Sequence, residues 1–212
     1  MRVPIAIVDY EAGNLTSVLN AVQFLGFQAV VTKDPKVINH ADRVIFPGVG
    51  AAASSMRVLL DSGLGQAVKD SVKAGKPVLG ICIGCQVILA HSEEDGGVDC
   101  LGILSGRAIK FQHEPFLKIP HMGWNQVQYA QPVPHAIFHG VADSSDFYFV
   151  HSFHPLMEQS SQVAAYTTYG TQRFASAIYR DNLVATQFHL EKSGDVGLEV
   201  LRNFCKWDGK SC

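Results

Sequence analysis

Up to about residue 100, short apolar runs alternate with stretches whose apolar residues recur at helical spacing. The first such stretch extends from Leu15 to Leu25 and stops before Gly26, a residue that commonly ends a helix. The alternation predicts a mostly parallel sheet with helices on both faces, a three-layer, doubly wound α/β fold. The apolar runs, which we interpret as buried strands, lie at 5–10, 29–31, 43–46 and 77–81.

Beyond residue 100 the pattern becomes one of strands with few helices between them. Arg180-Asp181-Asn182 has the composition of a tight turn and should join the last two strands as a hairpin. We therefore expect an antiparallel C-terminal extension of the sheet, closed by a helix at about 193–205. No linker interrupts the chain, which predicts a single domain over residues 1–212. The additional strands are predicted at 108–111, 126–129, 147–150, 163–168, 174–179 and 183–188.

Composition narrows the class of protein. The chain has 212 residues, is 47% hydrophobic and carries a formal net charge of −2, which gives no basic footprint for nucleic acid or an anionic membrane. No apolar run approaches the ~18–20 residues that span a bilayer, and the first residues lack the pattern of a signal peptide. Five irregularly placed cysteines do not form a disulfide framework, so we expect a cytoplasmic protein.

The stretch Gly80-Ile81-Cys82-Ile83-Gly84 is the first candidate for chemistry. It lies between the strand at 77–81 and a helix predicted from about 86–90. Glycines two residues before and after a residue allow a sharp strand-to-helix turn, the arrangement of a nucleophile elbow. At its apex the Cys82 sulfur would lie near backbone amides that stabilise a thiolate and a developing oxyanion. The alternative is a small buried cysteine in a tight turn.

A cysteine nucleophile needs a base and a group that orients the base. His189 and Glu191 follow the end of the last strand, and residues two apart in an extended segment point to the same side. They are the candidate pair, whereas the alternative is an ordinary surface His and Glu. Of the other histidines, His135 is expected at the surface, and His151 points either into the core or toward the site.

Cys82 and Cys85 also form a C-x-x-C pair, which can indicate a redox motif or half of a zinc site. Neither Cys100 nor Cys205 has a partner at ligand spacing. We therefore expect Cys85 to be a small buried residue of the helix, and we expect no metal and no cofactor.

With these residues in view, the chain resembles the class I (triad) glutamine amidotransferases over nearly its whole length. The elbow and the His-x-Glu segment are marks of that superfamily, and other motifs are most similar to the glutaminase subunits of imidazole glycerol phosphate synthase. The resemblance implies the flavodoxin-like fold of that family. The motifs that carry it are Ile7-Val8-Asp9-Tyr10, Gly13-Asn14-Leu15, Phe46-Pro47-Gly48-Val49-Gly50, the Cys82 elbow with Gln86, Ser92-Glu93-Glu94, 119–125, 149–152 and 187–193.

The resemblance also implies the catalytic roles. Cys82 would attack the carboxamide of L-glutamine, and His189, oriented by Glu191, would be the general acid and base. The oxyanion would be held by the strand Gly48, Val49 and Gly50, through a rotated peptide, and by the amide of Ile83. The residues implied to hold the α-amino and α-carboxylate groups of glutamine are Gln86, Glu94, His151 and Ser152.

In the family, the ammonia passes to a (β/α)₈-barrel cyclase subunit, which makes imidazole glycerol phosphate and aminoimidazole carboxamide ribonucleotide in histidine biosynthesis. The resemblance thus implies a heterodimer. The residues expected to face that partner are Asn14, Met122, Trp124 and Asn125.

Three positions depart from the family pattern. Leu190 replaces a usual proline, Cys85 a larger apolar residue, and Phe153 a common tyrosine. They leave open a paralogous amidotransferase that supplies ammonia for amidino-sugar synthesis. A DJ-1/PfpI-like cysteine enzyme is a further alternative, although such enzymes usually have His directly after the cysteine, where this chain has Ile83. A non-catalytic partner with a relict site is a third.

Overall fold

The computed structural model describes residues 3–11, 13 and 15–210. Its α-helices are α1 (Leu15–Phe24), α2 (Pro35–His40), α3 (Ala52–Asp61), α4 (Leu64–Lys73), α5 (Ile83–Val87) and α6 (Gly194–Lys206). Its strands are β1 (Val3–Val8), β2 (Ala29–Thr32), β3 (Ala41–Gly48), β4 (Val78–Cys82), β5 (His91–Ser92), β6 (Val98–Asp99), β7 (Gly106–Lys110), β8 (His121–Tyr129), β9 (Ser145–His151), β10 (Phe153–Met157), β11 (Val163–Tyr169), β12 (Gln172–Arg180) and β13 (Leu183–Thr186).

A nine-stranded sheet with the order β2-β1-β3-β4-β13-β12-β11-β8-β9 forms the centre of the molecule. Its first five strands are parallel. The others pair antiparallel, beginning with the β12–β13 hairpin that turns at Asp181 and Asn182. The predicted doubly wound α/β fold with an antiparallel C-terminal extension is confirmed.

Apolar side chains fill both faces of this sheet, as β1 illustrates. Ile5 and Ile7 belong to one buried cluster, whereas Ala6 and Val8 belong to another. Since successive side chains of a strand point to opposite faces, the two clusters are the two layers of core between the sheet and its helices. Burial on both faces explains why these strands appear in the sequence as continuous apolar runs.

A smaller four-stranded sheet, β10-β7-β5-β6, was not predicted. It includes β10, which begins at Phe153 directly after β9. The helix expected at about 86–90 instead begins directly after Cys82 and ends at Val87. The carbonyl of Ile88 accepts hydrogen bonds from the amides of Ile103 and Leu104, so tertiary contacts end the helix earlier than its apolar sequence suggests.

The carboxyl ends of the parallel strands meet at one edge of the large sheet. In the β3–β4 ladder Gly48 is opposite Cys82, and in the β4–β13 ladder Ile81 is opposite Thr186. Sites in open α/β sheets lie at this edge. The register therefore brings the segment at 47–50, the cysteine elbow and the segment after β13 to the same place.

None of the helices within the described ranges combines the length and apolar character required to span a membrane.

Candidate active site

Cys82 lies at a sharp turn between β4 and α5. Its φ of 55° and ψ of −106° are rare for a residue with a side chain. A Cβ at Gly80 would lie 2.9 Å from the Cβ of Ala185, and one at Gly84 would collide with the carbonyl oxygen of Phe46. The two glycines thus permit close backbone approaches that hold the cysteine in this strained conformation, as the elbow interpretation requires.

The His189 and Glu191 side chains form a buried pair. Nδ1 of His189 lies 2.8 Å from Oε1 of Glu191, and both side chains are 2% exposed. A carboxylate accepts only, so Nδ1 carries a proton and donates it. Nε2 of the same ring is buried and has no hydrogen-bond partner of ordinary geometry among the residues that the structure describes. This free nitrogen is the one available to Cys82.

Charge around His189 favours the imidazolium. Burial by itself would lower its pKa, but the negative charge of nearby Cys82, and then the hydrogen bond and charge of Glu191, raise the pKa to about 10. The ring is therefore protonated on both nitrogens, at Nδ1 toward the Glu191 carboxylate and at Nε2 on the side of the Cys82 sulfur. Such a proton is available for transfer to a leaving group.

The backbone of the 189–193 segment is fixed against β9. The amide of His189 donates to the Tyr148 carbonyl at 2.9 Å, and the amide of Tyr148 donates to Oγ of Ser193 at 3.0 Å. Ser193 Oγ in turn donates to the carbonyl of His189. These bonds place the imidazole independently of its own side-chain contacts.

Beside the cysteine lies a cavity of about 240 Å³. Gly48, His189 and Glu191 line the narrow cleft adjoining it, with Val49 common to both. The structure thus brings together the residues expected to act on glutamine. Those lining the larger cavity are Val49, Gly50, Cys82, Ile83, Gln86, Glu94, Pro120, Val150, His151, Ser152 and Phe153.

The segment at 47–50 requires glycine at its second position. A Cβ at Gly48 would collide with the hydroxyl oxygen of Tyr10 and press on the Ile83 side chain. Gly50 has a φ of 111°, which L side chains rarely adopt. Glycine is thus required at Gly48 by close packing and at Gly50 by its φ, and the Val49 side chain lies between them at the cavity wall.

Gln86 and Glu94 contribute polar groups to the cavity. Nε2 of Gln86 donates to the carbonyl of Phe153 at 2.8 Å and to Oε1 of Gln187 at 3.0 Å. Glu94 Oε2 accepts from the Ala52 amide at the start of α3, at 2.6 Å. Burial raises the pKa of Glu94, the Ala52 amide opposes this, and Asp95 adds to it. Oxygen acceptors of this kind suit a substrate ammonium group.

His151 lines the cavity, which answers the question that the sequence left open. The expectation that His135 lies at the surface is wrong. His135 is buried and packs against the rings of Tyr179 and Trp207 at centroid distances of 5.0 Å. Its loop-like sequence context hid this position because the contacts come from distant β12 and the end of α6.

Cys85 is fully buried in α5 and is a free thiol. Burial, and then the charge of Cys82, raise the pKa of Cys85. A buried thiol of this kind behaves as a small apolar residue. No group of three or more His, Cys, Asp or Glu side chains among residues 3–11, 13 and 15–210 is arranged to hold a metal ion.

The residues expected to face a partner differ in exposure. Met122 and Trp124, on β8, are 62% and 56% exposed. Asn125 is half-buried, and its Nδ2 donates to the carbonyl of Thr168 at 3.0 Å. Asn14 lies outside the described residues.

Sequence reasoning missed Gln187. Its side chain is buried, and its Nε2 lies 3.8 Å from Sγ of Cys82. Because it also accepts from Gln86, it links the cavity wall to the sulfur. A long polar residue directly after the apolar strand β13 was the available signal.

Comparisons with known proteins agree with this geometry. The family model "Glutamine amidotransferase class-I" matches residues 6–207. A protein of Acinetobacter baylyi named "Imidazole glycerol phosphate synthase subunit HisH" is 46% identical over 204 residues, which cover 96% of this chain and 98% of that protein. A Dehalococcoides mccartyi protein of the same name is 46% identical, with coverages of 95% and 96%.

Solved structures support the fold. A putative GMP synthase subunit from Thermoplasma acidophilum has a TM-score of 0.73 at 21% identity, covering 97% of this chain and 94% of that one. PurLQS from Thermotoga maritima has a TM-score of 0.72 at 14% identity, with coverages of 97% and 99%. At these identities the likeness concerns the fold alone.

Proposed function

This chain belongs to the class-I glutamine amidotransferase family, and we propose that it is the glutamine-hydrolysing subunit of an imidazole glycerol phosphate synthase. Relatives with that name match it along nearly their whole length. One structural observation carries the proposed chemistry. Cys82 at a strained elbow adjoins the free Nε2 of His189, and Nδ1 of that ring is held by Glu191.

This arrangement accounts for both steps of glutamine hydrolysis, formation of a glutamyl thioester and its hydrolysis. The Cys82 thiolate attacks the carboxamide carbon, and the carbonyl electron pair moves to oxygen. As the intermediate collapses, the C–N bond breaks and the proton on His189 Nε2 goes to the departing nitrogen, which leaves as ammonia. Neutral His189 then takes a proton from water, whose oxygen attacks the thioester, releases glutamate and restores the thiolate. Glu191 keeps the ring oriented throughout.

Backbone amides would stabilise the negative oxygen of each tetrahedral intermediate. The Ile83 amide, at the first residue of α5, is one proposed donor because it follows the nucleophile directly. The second donor comes from the segment Gly48, Val49 and Gly50 after rotation of a peptide. The positive φ of Gly50, which glycine adopts at little cost, supports a peptide rotation at this point.

The cavity beside Cys82 suits the α-amino and α-carboxylate groups of glutamine. Its volume of about 240 Å³ is slightly below the ~300–1,000 Å³ of most ligand pockets, so it suits a ligand as small as a free amino acid. We propose that Gln86 and Glu94 accept hydrogen bonds from the ammonium group. The His151–Ser152 segment forms the wall at which the α-carboxylate is held.

The ammonia passes to a second protein chain, since the relatives are named as subunits of a synthase. We propose that this second chain is a (β/α)₈-barrel cyclase and that the working form is a heterodimer. The exposed Met122 and Trp124 side chains support β8 as part of the contact surface, and Asn14 and Asn125 are proposed neighbours. A single domain and a cytoplasmic location complete the proposal. One family model that covers residues 6–207 supports the former.

The departures from the family pattern lie beside the proposed chemistry. Leu190 and Cys85 are fully buried and present no polar group to the cleft. Phe153 contributes its backbone carbonyl, which any residue supplies. The match to the amidotransferase model speaks against a DJ-1/PfpI-like enzyme, and the relatives' names favour the imidazole product over an amidino sugar.

Replacement of the nucleophile tests the proposal. Cys82→Ala should abolish glutamine hydrolysis, while the complex with its barrel partner keeps ammonia-dependent synthesis of imidazole glycerol phosphate. Cys205→Ala is the matched control, because Cys205 is also a buried free thiol but lies in α6. Diazo-oxo-norleucine should label Cys82 in the wild type, as read by mass spectrometry of the digest. Glutamine hydrolysis by Cys82→Ala at the wild-type rate would refute the mechanism.

A further inference from the structure

A chain of hydrogen-bonding groups leads from β8 to the wall of the cavity. Nδ2 of Asn125 lies 3.2 Å from Nε2 of His121. Nδ1 of His121 lies 3.0 Å from Nε2 of His151. Nδ1 of His151 lies 2.8 Å from the carbonyl oxygen of Phe153. The two histidines are buried, so protein groups determine the positions of their protons.

Only one arrangement of protons satisfies every link of this chain with neutral rings. The Phe153 carbonyl can only accept, so Nδ1 of His151 carries the proton and its Nε2 is an acceptor. His121 must then donate from Nδ1, which leaves its own Nε2 as an acceptor. The amide group of Asn125 supplies the donor for that nitrogen. Burial keeps both rings neutral, because it lowers the pKa of His121 to about 4 and outweighs the carbonyl contact that raises the pKa of His151.

The chain ends on a carbonyl that also holds Gln86. Phe153 O accepts from Nε2 of Gln86 at 2.8 Å, and the same Nε2 donates to Gln187. Both amide hydrogens of Gln86 are therefore committed, and the polar atom it has left is the acceptor Oε1. Since Gln86 lines the cavity, the orientation of its amide decides whether a ligand there meets an acceptor or a donor.

We propose that His121 is a positioning residue for the substrate. It fixes His151 as the Nδ1–H tautomer, which holds the Phe153 carbonyl and, through it, keeps Oε1 of Gln86 as the acceptor for the ammonium group of glutamine. The identity of that substrate rests on the proposed function. The protonation of the two rings does not depend on it.

Packing offers a competing explanation for His121. Its ring stacks on Tyr169 at a centroid distance of 4.0 Å and on Phe149 at 4.7 Å. A phenylalanine keeps the stacking and loses both hydrogen bonds. An asparagine loses most of the stacking, but its amide nitrogen takes the place of Nδ1 and can donate to His151. The two variants therefore separate the explanations.

Steady-state kinetics of glutamine hydrolysis by the full chain provides the first test. His121→Phe should raise KM for glutamine by about tenfold, the scale of one lost hydrogen bond, and change kcat by less than about twofold. His121→Asn should return KM toward the wild-type value. His135→Phe changes a buried histidine that takes no part in this series of hydrogen bonds, so it should leave KM unchanged. An unchanged KM in His121→Phe overturns the proposal. So does a fall in both kcat and melting temperature that is the same in His121→Phe and His121→Asn.

Nitrogen-15 NMR of the ring nitrogens in the full chain tests the proton positions without substrate. His121 and His151 should both be protonated at Nδ1. His135 is an internal reference of opposite tautomer, because its Nδ1 accepts from the Ile137 amide. Asn125→Asp replaces the donor with a carboxylate, and it should move the His121 proton to Nε2 and raise KM. A wild-type spectrum with the proton on Nε2 of either ring would refute the proposed series of hydrogen bonds, even if the glutaminase activity is as proposed.

Discussion

Glu191 holds the imidazole of His189 through a contact of 2.8 Å between Oε1 and Nδ1, in a place where water reaches neither side chain appreciably. Two residues two positions apart thus form a buried ion pair just past a strand end. A buried carboxylate that fixes a tautomer and stabilises an imidazolium contributes to catalysis without contact with the substrate.

Glu191→Gln tests this contribution. The amide keeps the size of the side chain but removes its charge and can turn a donor toward Nδ1. We expect kcat for glutamine hydrolysis to fall by up to about 10⁴-fold, the loss seen when a triad carboxylate is replaced by its amide. Glu199→Gln, at a surface pair with Arg202, is the control and should have wild-type kcat. A fall of less than about fivefold in Glu191→Gln would show that the carboxylate does not orient the base.

The pH dependence of stability follows from the charges around His189, of which Cys82 contributes more than Glu191. The pKa of His189 is raised from 6.5 to about 10 in the folded protein. Between these values the folded state binds more protons at this ring than the unfolded state, so the free energy of unfolding decreases as pH rises. This stabilisation is fully present below pH ~6.5 and is lost as pH passes ~10. Urea denaturation of wild type and His189→Gln at pH 6.5 and 9.5 should show a smaller decrease in the variant, and equal slopes would contradict the assignment.

The glycine after the nucleophile should be irreplaceable. In Gly84→Ala the new methyl group would meet the Phe46 carbonyl oxygen, which belongs to the central strand β3 and cannot yield cheaply. We expect a loss of more than about 3 kcal/mol in the free energy of unfolding, or failure to fold. Gly140→Ala meets open space at a φ of 75° and reports backbone strain alone, about 1 kcal/mol. Denaturation curves of equal midpoint for the two variants would rule out the collision.

Glu94→Gln probes recognition of the substrate ammonium group. Its amide oxygen can still accept from the Ala52 amide, but the charge that attracts an ammonium is gone. KM for glutamine should rise by roughly 10- to 100-fold, with kcat nearly unchanged, because the lost contact is equal in ground and transition states. Glu93→Gln is the neighbouring control, since Glu93 contacts the Lys110 amide instead. A loss confined to kcat would remove Glu94 from substrate binding.

The β8 surface should carry binding energy for the partner. Trp124 is large, apolar and more than half exposed, which is typical of an interface anchor. Trp124→Ala should weaken the complex with the proposed barrel partner by at least tenfold in isothermal titration and leave the melting temperature of the isolated chain unchanged. Leu60→Ala, at an exposed residue of α3, should not change the affinity. Wild-type affinity in Trp124→Ala would move the interface elsewhere.

Much of the fold was predictable because its determinants are local. The run at 77–81 predicted β4, and the glycines around Cys82 predicted the elbow, since a tight turn demands them wherever it occurs. The sequence also paired His189 with Glu191, but on the premise of an extended segment. Leu190–Lys192 instead form a 3₁₀ turn, and this turn brings the two side chains together. What joins the elbow to that pair is the register of β4 with β13, and only the general rule for open sheets anticipated it.

The remainder depended on contacts between distant parts of the chain. His135 is buried by Tyr179 and Trp207, which lie more than forty positions away in the sequence. The roles of His121 and Gln187 arise from single hydrogen bonds to His151 and Gln86, which no periodicity encodes. Helix α5 ends early because Ile88 gives its carbonyl to Ile103 and Leu104. Such tertiary contacts override local secondary-structure preference, and they cannot be predicted before the fold is known.

The bond between the His189 amide and the Tyr148 carbonyl has a consequence for aggregation. Strand β9 is the last of the nine-stranded sheet, and an uncovered last strand can recruit a strand from another molecule. Here the 189–193 segment occupies the backbone groups of Tyr148. A change that released this segment would therefore expose a template for intermolecular strand addition as well as displace the imidazole. The same two hydrogen bonds thus protect the protein from aggregation and keep its catalytic base in place.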